Sequence, residues 1–214
     1  MIINEQKAKE KIKKHNLFIA CDECAAGNLG GDLFVCGIIM KNEDLSILFN
    51  KVNDSKKLLK DTRSTLFDDI IKNAIDYEIV RITPNEIDEI NILNARMKGF
   101  QKAIEILSSR NDVNYAIIDG NKQPNITKVE TDCIIKGDLF VKEISCASII
   151  AKVSHTNYIN ELCNSNEKYK LYSLESNQGY GTKKHLEALE QHGYIEGFHR
   201  KSYKPVKNTF ENKN

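Results

Sequence analysis

No apolar run in the sequence approaches the roughly 18–20 residues that cross a bilayer, which excludes a membrane-spanning helix. No apolar h-region opens the chain, so a signal peptide is not expected; a cytoplasmic protein with reduced thiols is. Neither sign of charge is in excess: 31 Lys and Arg stand against 30 Asp and Glu, a net charge of +1. The molecule is therefore not a polycation, and any binding of polyanions must rest on local clusters. Repeats and low-complexity segments are absent. The six cysteines include one C-x-x-C, Cys21 and Cys24. No second close pair of Cys or His follows at zinc-finger spacing. The first cysteine also lies inside a predicted strand, whereas a redox C-x-x-C opens a helix. The cysteines read as small core hydrophobes.

The chain of 214 residues is 41% apolar, enough for one sizeable core. A single domain over 1–214 is expected, with a core over about 16–160, a helical portion over 161–205 and a frayed tail over 206–214. The default oligomeric state for such a domain is a monomer. Met1 to His15 reads as a charged helix covering the first strand. Apolar runs predict strands at Leu17 to Cys21, Leu33 to Met40, Leu45 to Phe49, Tyr77 to Ile82, Tyr115 to Asp119 and Val129 to Ile135. The short gap before Leu45 predicts an antiparallel hairpin. Leu66, Ile70, Ile71 and Ala74 predict a helix. Thr83-Pro-Asn-Glu86 is a capping box with Pro at the first helical position. It opens a short helix, and a second follows with Met97, Phe100, Ile104 and Leu107 buried. Ile144 to Ile159 is a long helix carrying small residues. Asn164 to Asn177 reads as a polar loop, and Thr182 caps a helix that Gly193 stops.

The chemistry gathers at Asn16-Leu-Phe-Ile-Ala-Cys-Asp-Glu-Cys-Ala-Ala-Gly27. A run buried on both faces leads into Asp22 and Glu23, followed by small residues that let another backbone come close. Strands often end in surface acids, so this stretch alone is ambiguous. Two further strand ends carry acids, Asp119 and Asp138. Strands alternating with helices indicate an α/β sheet, whose sites form beyond strand ends. Four clustered carboxylates would repel one another unless they held divalent cations. Oxygen donors alone suit Mg²⁺ or Mn²⁺ rather than zinc. Two such ions about 3.5–4 Å apart would serve phosphodiester hydrolysis. Adjacent strand residues face opposite ways, so Asp22 and Glu23 share a site only if the strand ends or bulges there. Phosphate-handling residues accompany the acids: Ser55, Lys56 and Lys57 before a helix N-terminus, Lys136, and a basic tail of His199, Arg200, Lys201 and Lys204. Tyr180, between two glycines, has room to stack on a base or sugar.

These residues together resemble a type 2 ribonuclease H, the ribonuclease HII family, from about Phe18 to Pro205. The motifs run in the family's order. They are Asp22-Glu23, Asp54-Ser-Lys-Lys-Leu58, Asn91-Ile-Leu-Asn94, Asp119-Gly-Asn121, Lys136-Gly-Asp138, Ala147-Ser-Ile-Ile-Ala-Lys-Val153, Gly179-Tyr-Gly-Thr-Lys-Lys-His185 and His199-Arg-Lys-Ser-Tyr-Lys-Pro205. The resemblance implies an RNase H-like mixed α/β sheet flanked by helices, with a helical C-terminal portion. It implies an endonuclease that cuts RNA in RNA–DNA hybrids, or DNA with embedded ribonucleotides, leaving a 5′-phosphate and a 3′-hydroxyl. By the same match Asp22, Glu23, Asp119 and Asp138 hold the metal and carry catalysis. Ala25, Ala26, Gly27, Ser55, Lys56, Lys136, Tyr180, His199 and Arg200 would meet the nucleic acid. Tyr180 would stack at the ribonucleotide–deoxyribonucleotide junction, where the 2′-hydroxyl marks RNA.

Two departures stand out. The family's Ala-Gly-Arg-Gly-Pro after Asp-Glu is here Cys24-Ala-Ala-Gly-Asn28, so Ala25 and Ala26 replace a Gly-Arg pair that reads the junction. The family's Thr-Arg-Asp after Lys152-Val153 is here Ser154, His155 and Thr156. The first departure predicts a weaker preference for single ribonucleotides, and it motivates the alternative of a hybrid-binding protein with little catalysis.

Overall fold

The computed structural model describes residues 1–41 and 60–211. The expected strand at Leu45 to Phe49, its hairpin, and Ser55 and Lys56 lie outside the described residues.

Helix α1 (Glu5–Ile12) starts where the Asn4 side chain accepts from Lys7 N. Strands β1 (Ile19–Cys24) and β2 (Leu33–Met40) follow, then α2 (Lys60–Asn73) and β3 (Ala74–Ile82). Leu66 and Ile70 are buried as the helical spacing predicts, but Ala74 already belongs to β3. Helix α3 (Pro84–Arg110) opens with the expected capping box. Thr83 N donates to Glu86 Oε2 at 3.1 Å and Glu86 N donates to Thr83 Oγ1 at 3.3 Å. Asn91, at φ 64° and ψ 163°, breaks α3 into the two expected helices. Its side chain then caps the second by accepting from Asn94 N at 3.1 Å. Among the described residues, strands β4 (Tyr115–Asp119) and β5 (Glu130–Ile134) join the others in a five-stranded sheet in the order β3-β2-β1-β4-β5. β1 runs parallel to β4, and β4 to β5.

A 3₁₀ turn (Gly137–Leu139) leads into α4 (Lys142–Ser165). The stretch expected as a polar loop is instead a 3₁₀ turn (Glu167–Tyr172) and the short helix α5 (Leu174–Asn177). Buried Tyr172 and Leu174 explain the difference: two apolar anchors in a polar stretch suffice once a core receives them. Helix α6 (Lys183–His192) has its predicted cap at Thr182 and stop at Gly193. Of the tail expected to fray over 206–214, the residues up to Glu211 belong to α7 (Lys204–Glu211), with Val206 buried, and 212–214 lie outside the described residues. Among the described residues no helix is long and apolar enough to cross a membrane.

The chain forms two compact units. One comprises Met1–Glu23, Val35–Val80 and Met97–Val153; the other comprises Cys24–Phe34, Arg81–Arg96 and Ser154–Asn214. Where the sequence predicts a core over 16–160 followed by a helical portion, the units interleave along the chain. In the first unit the core is the sheet interior, where Ile19, Ala20, Cys21, Ile117 and Ile118 are wholly buried. In the second, Leu29, Ile159, Tyr172, Leu189, Phe198 and Val206 share one apolar cluster. The cysteines behave as predicted. All six are free thiols, and only Cys24 is less than fully buried.

Candidate active site

In the first unit the sheet brings acids together. The β1–β4 register pairs Cys21 with Ile118, so the next step along these parallel strands sets Asp22 beside Asp119. Neighbouring parallel strands lie about 4.8 Å apart, and residues in register face the same side. β1 runs on through Cys24, and Ala25 at φ 73° turns the chain directly after it, so the strand ends one residue past Glu23. Strand alternation then places Asp22 inward, 6% exposed, and leaves Glu23 half-buried. Burial pushes the Asp22 carboxyl well above the ordinary range, and the charges of Glu23 and Asp119 push it further. Two hydrogen bonds pull the other way: the Ser148 hydroxyl on α4, and Glu23 N at 2.8 Å from Asp22 Oδ1.

Asp119 ends β4 and accepts from Gly137 N at 2.6 Å. That contact depends on glycine. A Cβ at position 137 would lie 2.5 Å from Ile134 Cγ2 and 2.7 Å from Ile144 Cδ1. Asp138 is not at a strand end, because β5 stops at Ile134. Lys136 in the left-handed region (φ 58°) turns the chain, so Asp138 arrives on the 3₁₀ turn one residue after the glycine that holds Asp119. Its carbonyl accepts from the Ser145 hydroxyl, which ties the turn to α4. Lys136 is exposed.

Among the described residues no three His, Cys, Asp or Glu side chains close around one point as a metal cage. The donor set still fits a hard divalent cation. Its atoms are carboxylate oxygens, and a buried carboxylate beside two others calls for positive charge. Mg²⁺ in particular takes only one or two protein carboxylates and fills its remaining positions with water and phosphate oxygens.

In the second unit the loop after the acids is fixed by buried Arg200. Its guanidinium donates to Gly31 O through Nε (3.1 Å) and one terminal nitrogen (2.9 Å), and to Ala26 O through the other (3.0 Å). Tyr203 Oη donates to the same Ala26 carbonyl at 2.7 Å, and Arg200 N donates to Leu29 O at 2.9 Å. Ala25 is buried with φ 73°, a conformation suited to glycine. Ala26 is half-buried, and Gly27 is exposed. Two members of the basic tail expected to meet the nucleic acid lie inside the protein. His199 and Arg200 are 1% and 0% exposed, and their polar atoms face the protein's own groups. Tyr180 is 43% exposed on its turn.

The two departures meet. Asn28 and His155 are both wholly buried, and Asn28 Nδ2 lies 3.1 Å from His155 Nε2 and donates to Gln178 O at 2.6 Å. Leu29 N donates to Gly179 O at 2.8 Å, so the loop and the Tyr180 turn are joined by main-chain and side-chain bonds. Gly179 is required there: its φ is 87°, and a Cβ would come within 2.9 Å of Asn28 Nδ2 and Gly30 O. Ser148, Asn28, His155 and His185 received no role from the sequence. Ser148 and His185 do lie within the quoted motifs, which was the available signal.

A family model described as Ribonuclease HII matches residues 19–206. A protein of Mycoplasma capricolum named Ribonuclease HII is 40% identical over 209 residues, covering 96% of this chain and 97% of that one. Another of that name from Shewanella loihica is 37% identical over 215 residues, covering 99% of each. Among solved structures, the ribonuclease H2 of Pyrococcus horikoshii OT3 has a TM-score of 0.73 and 24% identity. The superposition covers 92% of this chain and 98% of that one, and it shows the same fold.

Proposed function

The chain belongs to the ribonuclease HII family, and from that premise we propose how it acts. As a member of the family it is a metal-dependent ribonuclease H, an endonuclease acting on RNA–DNA hybrids. In the proposed reaction it hydrolyses the phosphodiester bond on the RNA side, leaving a 5′-phosphate and a 3′-hydroxyl. Asp22, Glu23, Asp119 and Asp138 would hold Mg²⁺ or Mn²⁺. Two ions there would activate a water and stabilise the departing 3′-oxygen. The observation that carries this reading is the placing of Asp22 beside Asp119, with its carboxyl driven upward by burial and by two neighbouring charges.

The remaining residues act by position. Gly137 N orients Asp119, and the Ser148 hydroxyl orients Asp22. The carbonyls of Ala26, Leu29 and Gly31, all engaged from Arg200 and Tyr203, hold the loop's backbone shape although Ala25 and Ala26 replace the family's Gly-Arg. Backbone contacts to the junction would therefore survive, while the cation lost at Ala26 would not be replaced. Preference for a lone ribonucleotide is reduced rather than abolished. Ser55, Lys56 and Lys136 would meet phosphates, and Tyr180 would stack at the junction. Its cellular task would be removing ribonucleotides or RNA primers from DNA in the cytoplasm, as a monomer.

The test uses two labelled duplexes with Mg²⁺ and then Mn²⁺: DNA carrying one ribonucleotide, and a uniform RNA–DNA hybrid. Cleavage of both is expected, with the hybrid relatively favoured. Binding of both by folded protein without any product would replace this reading with that of a hybrid-binding protein.

A further inference from the structure

His185 and His199 are both buried, and they contact each other through like atoms, Nε2 to Nε2 at 3.0 Å. One nitrogen must donate and the other accept. The outer bonds decide which. Ile195 N donates to His199 Nδ1 at 2.7 Å, so Nδ1 carries no proton and the His199 proton lies on Nε2. His199 Nε2–H must then donate to His185 Nε2, which leaves the His185 proton on Nδ1. That nitrogen lies 2.9 Å from the carbonyl of Tyr180 and donates to it. Every bond points one way, from Ile195 N–H through two neutral rings to Tyr180 C=O. A second proton on His199 would set its Nδ1–H against the Ile195 N–H. A second proton on His185 would set two Nε2–H groups face to face. The Tyr172 ring covers the pair, its centroid 4.9 Å from His199 and 5.9 Å from His185.

We propose that His185 and His199 are positioning residues for Tyr180. Their neutral, one-directional relay holds the turn that presents the Tyr180 ring, and so sets how strongly a ribonucleotide–deoxyribonucleotide junction is favoured over a uniform hybrid. The proposal rests on the reading of Tyr180 as the residue that stacks at the junction. It replaces direct contact between His199 and nucleic acid with an action two bonds removed. The turn has supports on both sides: Gln178 O and Gly179 O accept from Asn28 and Leu29, while Tyr180 O accepts from Thr182 N and from the relay. Cutting the relay therefore loosens Tyr180 without unmaking the turn.

Two measurements on the full chain test this. Imidazole ¹⁵N–¹H correlation near neutral pH is expected to show His199 protonated at Nε2 and His185 at Nδ1. The opposite tautomers, or a second proton on either ring, overturn the relay. The junction preference is kcat/KM on the single-ribonucleotide duplex divided by that on the uniform hybrid. It is expected to fall about tenfold in His185→Leu, the scale of one lost hydrogen bond. In His185→Asn, whose side-chain N–H takes the place of Nδ1–H, it should stay within about threefold of wild type. If both variants lose activity equally on the two duplexes, the pair is only structural and the proposal falls. Wild-type protein that cuts neither duplex overturns the functional reading instead, and the tautomers still decide the relay.

Discussion

Ala25 holds a left-handed backbone that costs an L-residue about 1–2 kcal/mol, and its methyl group is buried. Ala25→Gly should therefore raise stability by about 1 kcal/mol, read as a higher urea midpoint at unchanged slope. Asp119→Asn removes one of the charges that press on Asp22. It should abolish metal-dependent cleavage on both duplexes while the urea midpoint holds or rises, since a repulsion is relieved; retained cleavage would remove Asp119 from the site. At this scale the gathering of Asp22 and Asp119 was legible only when the acid-bearing segments were taken together, because one strand ending in acids is by itself ambiguous. Ser148 was not, since a serine on a helix gives no sign of which distant carboxylate it meets. Arg200 was expected to meet the nucleic acid, and it lies wholly buried. Charge patterning reports sign, and the burial of Arg200 depends on carbonyls 169 and 174 positions away in sequence.

Between residues and the whole lie the elements, and their legibility followed how local their causes were. The capping box, the two helices of α3 and the stop at Gly193 were all readable, because each is decided within about four residues. The region of residues 167–177 and α7 were missed, because their helicity depends on burying Tyr172, Leu174 and Val206 in a core built from other segments. The loop after β1 depends on remote support. Arg200→Met would leave the Gly31 carbonyl without its guanidinium donors and weaken the hold on Ala26. It is expected to destabilise the protein by about 3 kcal/mol in urea unfolding. It should also lower cleavage at a lone ribonucleotide more than cleavage of a uniform hybrid.

For the molecule as a whole, the two buried histidines set an acid limit. Burial holds both below the ordinary histidine value. His199 is brought down to about 3 by burial and by the neighbouring His185. A depressed folded value means the unfolded chain binds the proton first. Stability from these groups is complete above about pH 6.5 and is lost as pH falls towards about 3. The urea midpoint should therefore drop across that window. A His199→Gln variant should show a shallower drop, and an equally steep one would exclude the pair as its source. The α/β class and the single sheet were legible from alternating strands and helices. The interleaving of two units was not, because periodicity tells which face of an element is buried and not which segments bury it together.

The interleaved second unit has a consequence in time. Arg200, which clamps the Ala26 carbonyl, is made 174 residues after it. At the usual pace of translation of about 5–20 residues per second, roughly 9–35 seconds separate the two. Throughout that interval the nascent chain already carries Asp22 and Glu23, but the loop after them has no clamp. Asp22 and Glu23 are thus made well before the residue that fixes the loop that follows them.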